Sequence, residues 1–202
     1  QQVEHFNSPN VTQNDAFKPV TRYFDRITRP EQILQTLPQA IQVMLDPADC
    51  GPACISLSQD IQGETFEYPE EFFKERVHNI RRPRPDDFQI KEAAEKIKKS
   101  KNPIIISGGG VFYSDAMEDL SNFAIKHNIP VTQTVMGYST MKRDHSHFLG
   151  PIGGLGGKAA NNFAKKTDLA IAVGTKLGDF TTGSWANFEN PNFSLVSVNV
   201  SR

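Results

Sequence analysis

The sequence predicts an α/β fold: a doubly wound, Rossmann-like parallel sheet over residues 86–202, preceded by an α/β remnant of an upstream domain. Three observations lead there. Pro103-Ile104-Ile105-Ile106-Ser107 is an unbroken β-branched run of the kind that is covered on both faces in parallel sheets, and Gly108-Gly109-Gly110 follows it directly. Beyond the glycines, apolar runs and amphipathic stretches alternate as far as Val198, at the spacing of strand-helix-strand crossovers. Upstream, between Gln62 and Pro85, periodicity disappears while Pro69, Pro83 and Pro85 accumulate, which marks a linker between two folded parts.

Residues 1 to about 27 are polar and turn-rich, with no periodic element. Thr28-Arg29-Pro30-Glu31 has the pattern of a capping box, in which the Thr hydroxyl and the Glu carboxylate satisfy helix-end amides and Pro is tolerated in the first turn. The helix that follows would place Ile33, Leu37, Ile41, Met44 and Leu45 on one face, with Pro38 removing an amide and kinking it. Gly51-Pro52 ends that helix before the strand-like Ala53-Cys54-Ile55-Ser56-Leu57. Residues 1–61 therefore read as the C-terminal part of one domain and residues 62–85 as the linker, pinned to a neighbour by Phe66, Tyr68, Phe72 and Phe73. A chain that opens on Gln1-Gln2-Val3 without Met is expected to be a cut piece of a longer polypeptide.

From Asp86 the pattern is regular. Asp86 or Asp87 caps a helix with Ile90, Ala93, Ala94 and Ile97 facing inward and Lys96, Lys98 and Lys99 near its negative end. After the glycines, a helix from about Asp115 to His127 would bury Met117, Leu120, Ala124 and Ile125. The strand Pro130 to Thr134, a helix around Lys158 to Lys165, and the strands Leu169–Val173 and Leu195–Val198 complete the alternation.

The bulk properties exclude several function classes. A formal charge of -1, from 22 basic and 23 acidic residues, gives no electrostatic reason to expect nucleic acid or anionic lipid as a partner. The cluster Arg81-Arg82-Pro83-Arg84 is interrupted by proline and lacks stacking aromatics, so it reads as exposed linker. No apolar run approaches the ~20 residues that span a bilayer, and the start is not a signal peptide, so a cytoplasmic protein is expected. Cys50 and Cys54 form C-x3-C, the wrong spacing for a redox pair and too few for structural zinc.

Two glycine-rich turns invite a phosphate reading. Gly108-Gly109-Gly110 lies between a strand and a helix, where ligands gather in open parallel sheets, and glycine permits positive φ and close backbone approach to a nucleotide phosphate. The run is not G-x-G-x-x-G, no acidic residue closes the second strand to hold a ribose, and a tight strand-to-helix turn also demands glycine. Gly150 to Lys158 fails as a P-loop, because Ala159 stands where a magnesium-binding hydroxyl belongs. Asp144-His145-Ser146-His147 has H-x-H spacing but no third ligand set, and its imidazoles read as surface hydrogen-bonding groups. No nucleophile elbow, H-E-x-x-H or catalytic carboxylate pair is present.

In order along the chain, Pro103 to Val111, Ile129 to Gly137, Asp144-His145, Leu149 to Gly153 and Asp168 to Gly174 resemble the middle domain of thiamine diphosphate-dependent enzymes, the family of acetolactate synthase and pyruvate decarboxylase. Phe17 to Thr21, Arg29-Pro30-Glu31 and Ser58 to Ile61 resemble the end of that family's N-terminal, pyrimidine-binding domain. Gly174 to Ser184, Val198-Asn199-Val200, Gln1 to His5 and Asn14 to Pro19 look like the branch that opens the ring of a cyclic 1,2-dione during inositol breakdown.

This resemblance implies a parent enzyme that is a hydrolase of C–C bonds, with thiamine diphosphate as electron sink and magnesium holding its diphosphate. The family's activating glutamate and Gly-Asp-Gly metal motif are absent from this sequence, and Asp179 follows Gly178 but precedes Phe180, so no catalytic or metal-binding residue carries over. Some relatives bind FAD or ADP in the middle domain, and the matching positions here are Gly108, Gly109, Gly110, Gly174, Thr175 and Lys176. Many leave it empty, so a nucleotide pocket and a purely architectural turn both stand. The partners implied are the N- and C-terminal domains of the same enzyme, in a homodimer or homotetramer.

Overall fold

The computed structural model describes residues 13–80 and 82–200. Gln1 to His5, Arg81 of the basic cluster, Ser201 and Arg202 fall outside the described residues. The chain divides into two compact units, the first reaching Pro83 and the second running from Arg84 to Val200.

In the first unit, a 3-10 helix at Gln13–Val20 leads into β1 (Tyr23–Ile27), which pairs in parallel with β2 (Ala53–Leu57) across α1 (Ile33–Met44). β1 is an element the periodicity does not predict. Its sequence Tyr-Phe-Asp-Arg-Ile mixes polar and apolar residues, and only Ile27 is buried, so neither a strict alternation nor an apolar run announces it.

The start of α1 corrects the expected capping box. The receiving group is the Gln32 side-chain carbonyl, which accepts from the Thr28 amide, the Thr28 hydroxyl at 3.0 Å and the Arg29 amide at 2.9 Å, and Glu31 takes no part in these bonds. The buried face of α1 centres on Thr36 and Ala40, with Ile33, Leu37 and Ile41 half-buried and Met44 exposed. The Thr36 hydroxyl donates to Asp25 of β1, and the Tyr23 phenol donates to Gln39 at 3.0 Å, so polar pairs share the helix-strand contact with apolar ones.

Beyond α2 (Gln59–Gln62), Phe66, Tyr68, Phe72 and Phe73 cluster with ring centroids 5.0 to 6.1 Å apart, edge-to-face except for the stacked Tyr68–Phe72 pair, and the Tyr68 phenol donates to the Pro30 carbonyl at 3.3 Å. This fastens the segment to the start of α1. Cys50 and Cys54 are free thiols.

The second unit contains α3 (Asp87–Lys99), β3 (Pro103–Ser107), α4 (Gly109–Tyr113), α5 (Met117–His127), β4 (Val131–Gln133), β5 (Phe148–Pro151), α6 (Lys158–Ala164), β6 (Leu169–Val173), α7 (Asp179–Thr182) and β7 (Ser194–Val198). All five strands are parallel, in the order β5-β4-β3-β6-β7. This is a doubly wound sheet, built outward from β3 in one direction and then from β6 in the other.

β3 reads as an unbroken isoleucine run because both its faces are covered. Ile105 packs with Val131, Ile171, Leu120 and Ala124 under α3 and α5, while Ile104 and Ile106 pack with Ala170, Ala160 and Ala164 under α6. Each buried isoleucine contributes roughly 1.5–3 kcal/mol of transfer free energy. Asp86 caps α3, its carboxylate accepting from the Gln89 amide at 2.8 Å. Two predicted core positions are corrected: Ile90 and Ile125 are about half exposed, since α3 turns Ala93 and Ile97 inward and α5 turns Leu120, Phe123 and Ala124. The expected helix from about Asp115 to His127 is α5, which begins at Met117 after Asp115 adopts φ 54°, and the short α4 ahead of it is an element the pattern does not predict.

At the amino edge, the Asp168 carboxylate accepts from the Ser100 hydroxyl, the Lys101 amide at 2.7 Å and the Asn102 amide at 3.0 Å, and its backbone carbonyl accepts from the Ser194 amide at 2.9 Å. One residue thus ties together the starts of β3, β6 and β7. Burial acts to raise the Asp168 pKa, but these three donors outweigh it and hold the carboxyl below its ordinary value. A depressed carboxylate stabilises the fold above the unfolded pKa, near 4, and loses that contribution as pH falls through the folded value. Asp168→Asn is expected to lower unfolding free energy by about 2 kcal/mol at pH 7 and by much less at pH 2, as read by urea melts at both pH values. Equal losses at the two would contradict the linkage.

No helix among the described residues is long and apolar enough to cross a membrane.

Candidate functional site

The winding direction of the sheet reverses between β3 and β6, and a crevice outside the strand ends at such a point is where ligands bind in this architecture. The structure brings the predicted residues together there: Gly108, Gly109 and Gly110 leave β3, and Gly174, Thr175 and Lys176 leave β6. Their geometry explains the glycines without a ligand. The Gly108 amide donates to the Val173 carbonyl at 2.8 Å and the Gly110 amide to the Gly174 carbonyl at 2.9 Å, so two of the donors a phosphate would need are already bound to backbone.

The two turns are pressed against each other. A Cβ on Gly108 would stand 2.3 Å from the Gly174 oxygen, one on Gly110 would stand 2.6 Å from the Gly174 Cα, and one on Gly109 would stand 2.9 Å from the Met136 oxygen. Gly108 to Gly110 have no positive φ; only Gly174, at φ 61°, does. Close approach between loops is therefore the requirement at the three-glycine turn, and left-handed backbone is added to it at Gly174.

The neighbouring loop is fixed in the same way. A Cβ on Gly137 would lie 2.2 Å from the Ser107 oxygen, and the Thr140 hydroxyl bonds both Ser107 Oγ and the Gly137 carbonyl at 2.7 Å. Thr175 Oγ1 accepts from the Leu177 amide at 3.2 Å, while Lys176 is exposed.

A pocket of about 610 Å³ opens beside the end of β4 and along the edge strand β5, lined by Gln133, Thr134, Tyr138, Arg143, Phe148 and Pro151 among others, and none of the six predicted glycine-turn residues lines it. Arg143 donates to the Tyr138 phenol at 3.0 Å, and Gln133 Oε1 is buried without a hydrogen-bond partner. The pocket was not predicted. No sequence pattern marks it; Gln133 stands in a strand whose three residues are all buried.

The glycines at 150–157 shape a turn. Asn161 receives the Gly153 amide at 2.9 Å and donates to the Gly153 carbonyl at 3.0 Å, closing the loop ahead of α6. His145 pairs with Ser121 at 3.1 Å and His147 with Asn128 at 3.0 Å. Among the described residues no group of three or more His, Cys, Asp or Glu side chains is placed to hold a metal ion. Asp179 begins α7 and accepts from the Ser184 hydroxyl at 2.8 Å.

Comparison with known proteins gives a consistent result. The family model described as thiamine pyrophosphate enzyme, central domain, matches residues 90–202. Over all 202 residues the chain is 50% identical to a 3D-(3,5/4)-trihydroxycyclohexane-1,2-dione hydrolase of Clostridium perfringens, and 48% identical to the protein of that name from Bacillus velezensis. The chain spans 32% of the length of each. A solved structure of a thiamin diphosphate-dependent enzyme from Mycobacterium smegmatis superposes with a TM-score of 0.70 at 20% identity, over 91% of this chain and 34% of that one, which shows a shared fold.

Proposed function

Because the chain belongs to the thiamine pyrophosphate enzyme family, whose central domain it contains, we propose that it is the supporting part of an enzyme that hydrolyses a C–C bond of 3D-(3,5/4)-trihydroxycyclohexane-1,2-dione. The observation that carries this reading is identity of about half, sustained over every residue of the chain, with relatives of that name. The test is an assay of the full-length protein on the dione and on pyruvate. Opening of the dione is the expected result, and turnover of pyruvate alone would assign the chain to a decarboxylase or carboligase.

Thiamine diphosphate supplies the electron sink for C–C cleavage, and in this reading it and its magnesium are held by residues outside this chain. Tight binding of thiamine diphosphate by this segment alone would overturn it. The parent enzyme is read as a homodimer or homotetramer.

The glycine turns are assigned an architectural role, supported by the intramolecular bonds of Gly108 and Gly110. Calorimetry of the full-length protein with FAD, ADP and NAD is expected to show no binding. Heat from FAD or ADP would instead make Gly108 to Gly110 and Gly174 to Lys176 a nucleotide site.

A further inference from the structure

Among the described residues of the second unit, Gln133 carries the one buried side-chain polar atom without a hydrogen-bond partner, its Oε1. The polar side chains on either side of it in sequence are satisfied: Thr132 Oγ1 donates to the Ile105 carbonyl at 3.2 Å, and Thr134 Oγ1 accepts from the Gly137 amide at 3.0 Å. Gln133 is 6% exposed and lines the pocket along β5. A buried acceptor left unmet destabilises the fold that holds it, so a glutamine retained there calls for a role.

The rest of the pocket supplies one positive charge and apolar wall. Arg143 is the only charged residue that lines it. Tyr138 positions the guanidinium, accepting from Nη2 at 3.0 Å with its ring centroid 5.8 Å from the guanidinium carbon. Among the described residues Arg143 has no carboxylate partner, so the remaining donors of its planar fork are left for an anion. Phe148 and Pro151 form apolar wall, and a Cβ added at Gly150 would meet nothing within 4 Å, so the space beside it is open. A cavity of about 610 Å³ with apolar walls and a few polar groups is the form that small-molecule sites take.

We propose that this pocket binds a hydroxylated carboxylate, with the carboxylate on Arg143 and a hydroxyl on the Gln133 carboxamide. A carboxylate matches the fork of a guanidinium, and no acidic residue lines the pocket to repel it. The terminal torsion of glutamine is soft and two-fold, so the amide can turn either its carbonyl or its NH2 group to the ligand. A hydroxyl both donates and accepts, and so meets the amide in either orientation. A nucleotide diphosphate suits the pocket poorly, since it would bring several negative charges to a single arginine. The ligand class deepens the functional reading above and rests on it: hydrolysis of the bond between the two carbonyl carbons of a trihydroxy 1,2-dione leaves one carbon as a carboxylate and the other as an aldehyde, with the hydroxyls retained. The product of that reaction is thus itself a hydroxylated carboxylate.

The test is calorimetric titration of the full-length enzyme with D-glucuronate as the probe. D-glucose, which keeps the hydroxyls without the carboxylate, and propionate, which keeps the carboxylate without the hydroxyls, are each expected to bind about ten-fold or more weakly than glucuronate. Arg143→Met should weaken glucuronate about ten-fold or more, and Gln133→Leu about five-fold. Arg143 is exposed, so its replacement leaves the fold intact. Gln133→Leu removes an unmet polar group, so its urea midpoint should hold or rise while affinity falls, which a merely structural glutamine would not produce. No binding of glucuronate, equal binding of glucose or propionate, or unchanged affinity in either variant overturns the proposal. A dione reaction run to completion is expected to displace glucuronate from the unsubstituted enzyme, and a reacted mixture that leaves it in place also overturns the proposal. An enzyme that opens the dione but binds no glucuronate defeats the pocket alone. Absence of turnover defeats the functional reading, and the glucuronate titrations then decide the pocket by themselves.

Discussion

Gly174→Ala is expected to destabilise the second unit by about 3 kcal/mol or more, as the sum of two separate penalties. At φ 61° a Cβ meets the following carbonyl, a cost of roughly 1–2 kcal/mol. The same Cβ would lie 2.6 Å from the Gly110 Cα and 2.7 Å from the Val111 nitrogen, which are backbone atoms that cannot rotate away, and forced overpacking costs about 1–3 kcal/mol more. Gly178→Ala is the control: its φ is −60° and nothing lies within 4 Å of the added methyl, so a change under about 1 kcal/mol is expected. Urea denaturation of both variants checks this. If Gly174→Ala melts with the wild-type midpoint, the two turns are not locked by backbone contact, and the glycines need another explanation, with a bound nucleotide the first to test.

That the glycine turns could be picked out in advance, but not interpreted, reflects what a linear pattern contains. Gly108 to Gly110 announce themselves as a strand-to-helix turn, but the atoms that require them belong to Gly174 and Met136, distant in sequence and close only once β3, β4 and β6 are side by side. The long elements were legible because their signal is local: β3 and β6 are apolar runs buried on both faces, and Asp86 caps its own helix. β1 and β5 were not. β1 buries one residue of five, and β5 carries Gly150 and Pro151, residues that argue against a strand unless it lies at an edge, as β5 does. The cap passed to Gln32 because the helical N-cap is Arg29, one residue later than Thr28, which makes Gln32 rather than Glu31 the third residue of the first turn. The pocket beside Gln133 was invisible for the reason the glycine contacts were: Tyr138 and Arg143 line it from a loop with no periodicity, and Phe148 from the unannounced edge strand β5.

The same distinction between pattern and packing gives the other large effect. Ile105 and Ile125 are both apolar positions that periodicity assigns to the core, yet Ile105 is fully buried beneath two helices while Ile125 is 54% exposed. Ile105→Ala is therefore expected to cost about 3–4 kcal/mol, combining lost transfer free energy with a cavity that neighbours locked in a sheet cannot collapse to fill. Ile125→Ala, on the solvent side of α5, should cost under about 1 kcal/mol. Chemical denaturation of the two variants separates the readings, and equal losses would mean that α5 is rotated from the orientation described. The consequence reaches the carboxyl edge, because β3 is the strand to which β4 and β6 are both hydrogen-bonded and from which the Gly108 turn springs. A loosened Ile105 layer should weaken the Gly110–Gly174 contact with it. Combining Ile105→Ala with Gly174→Ala should then be less than additive, since the first substitution gives the second room to relax.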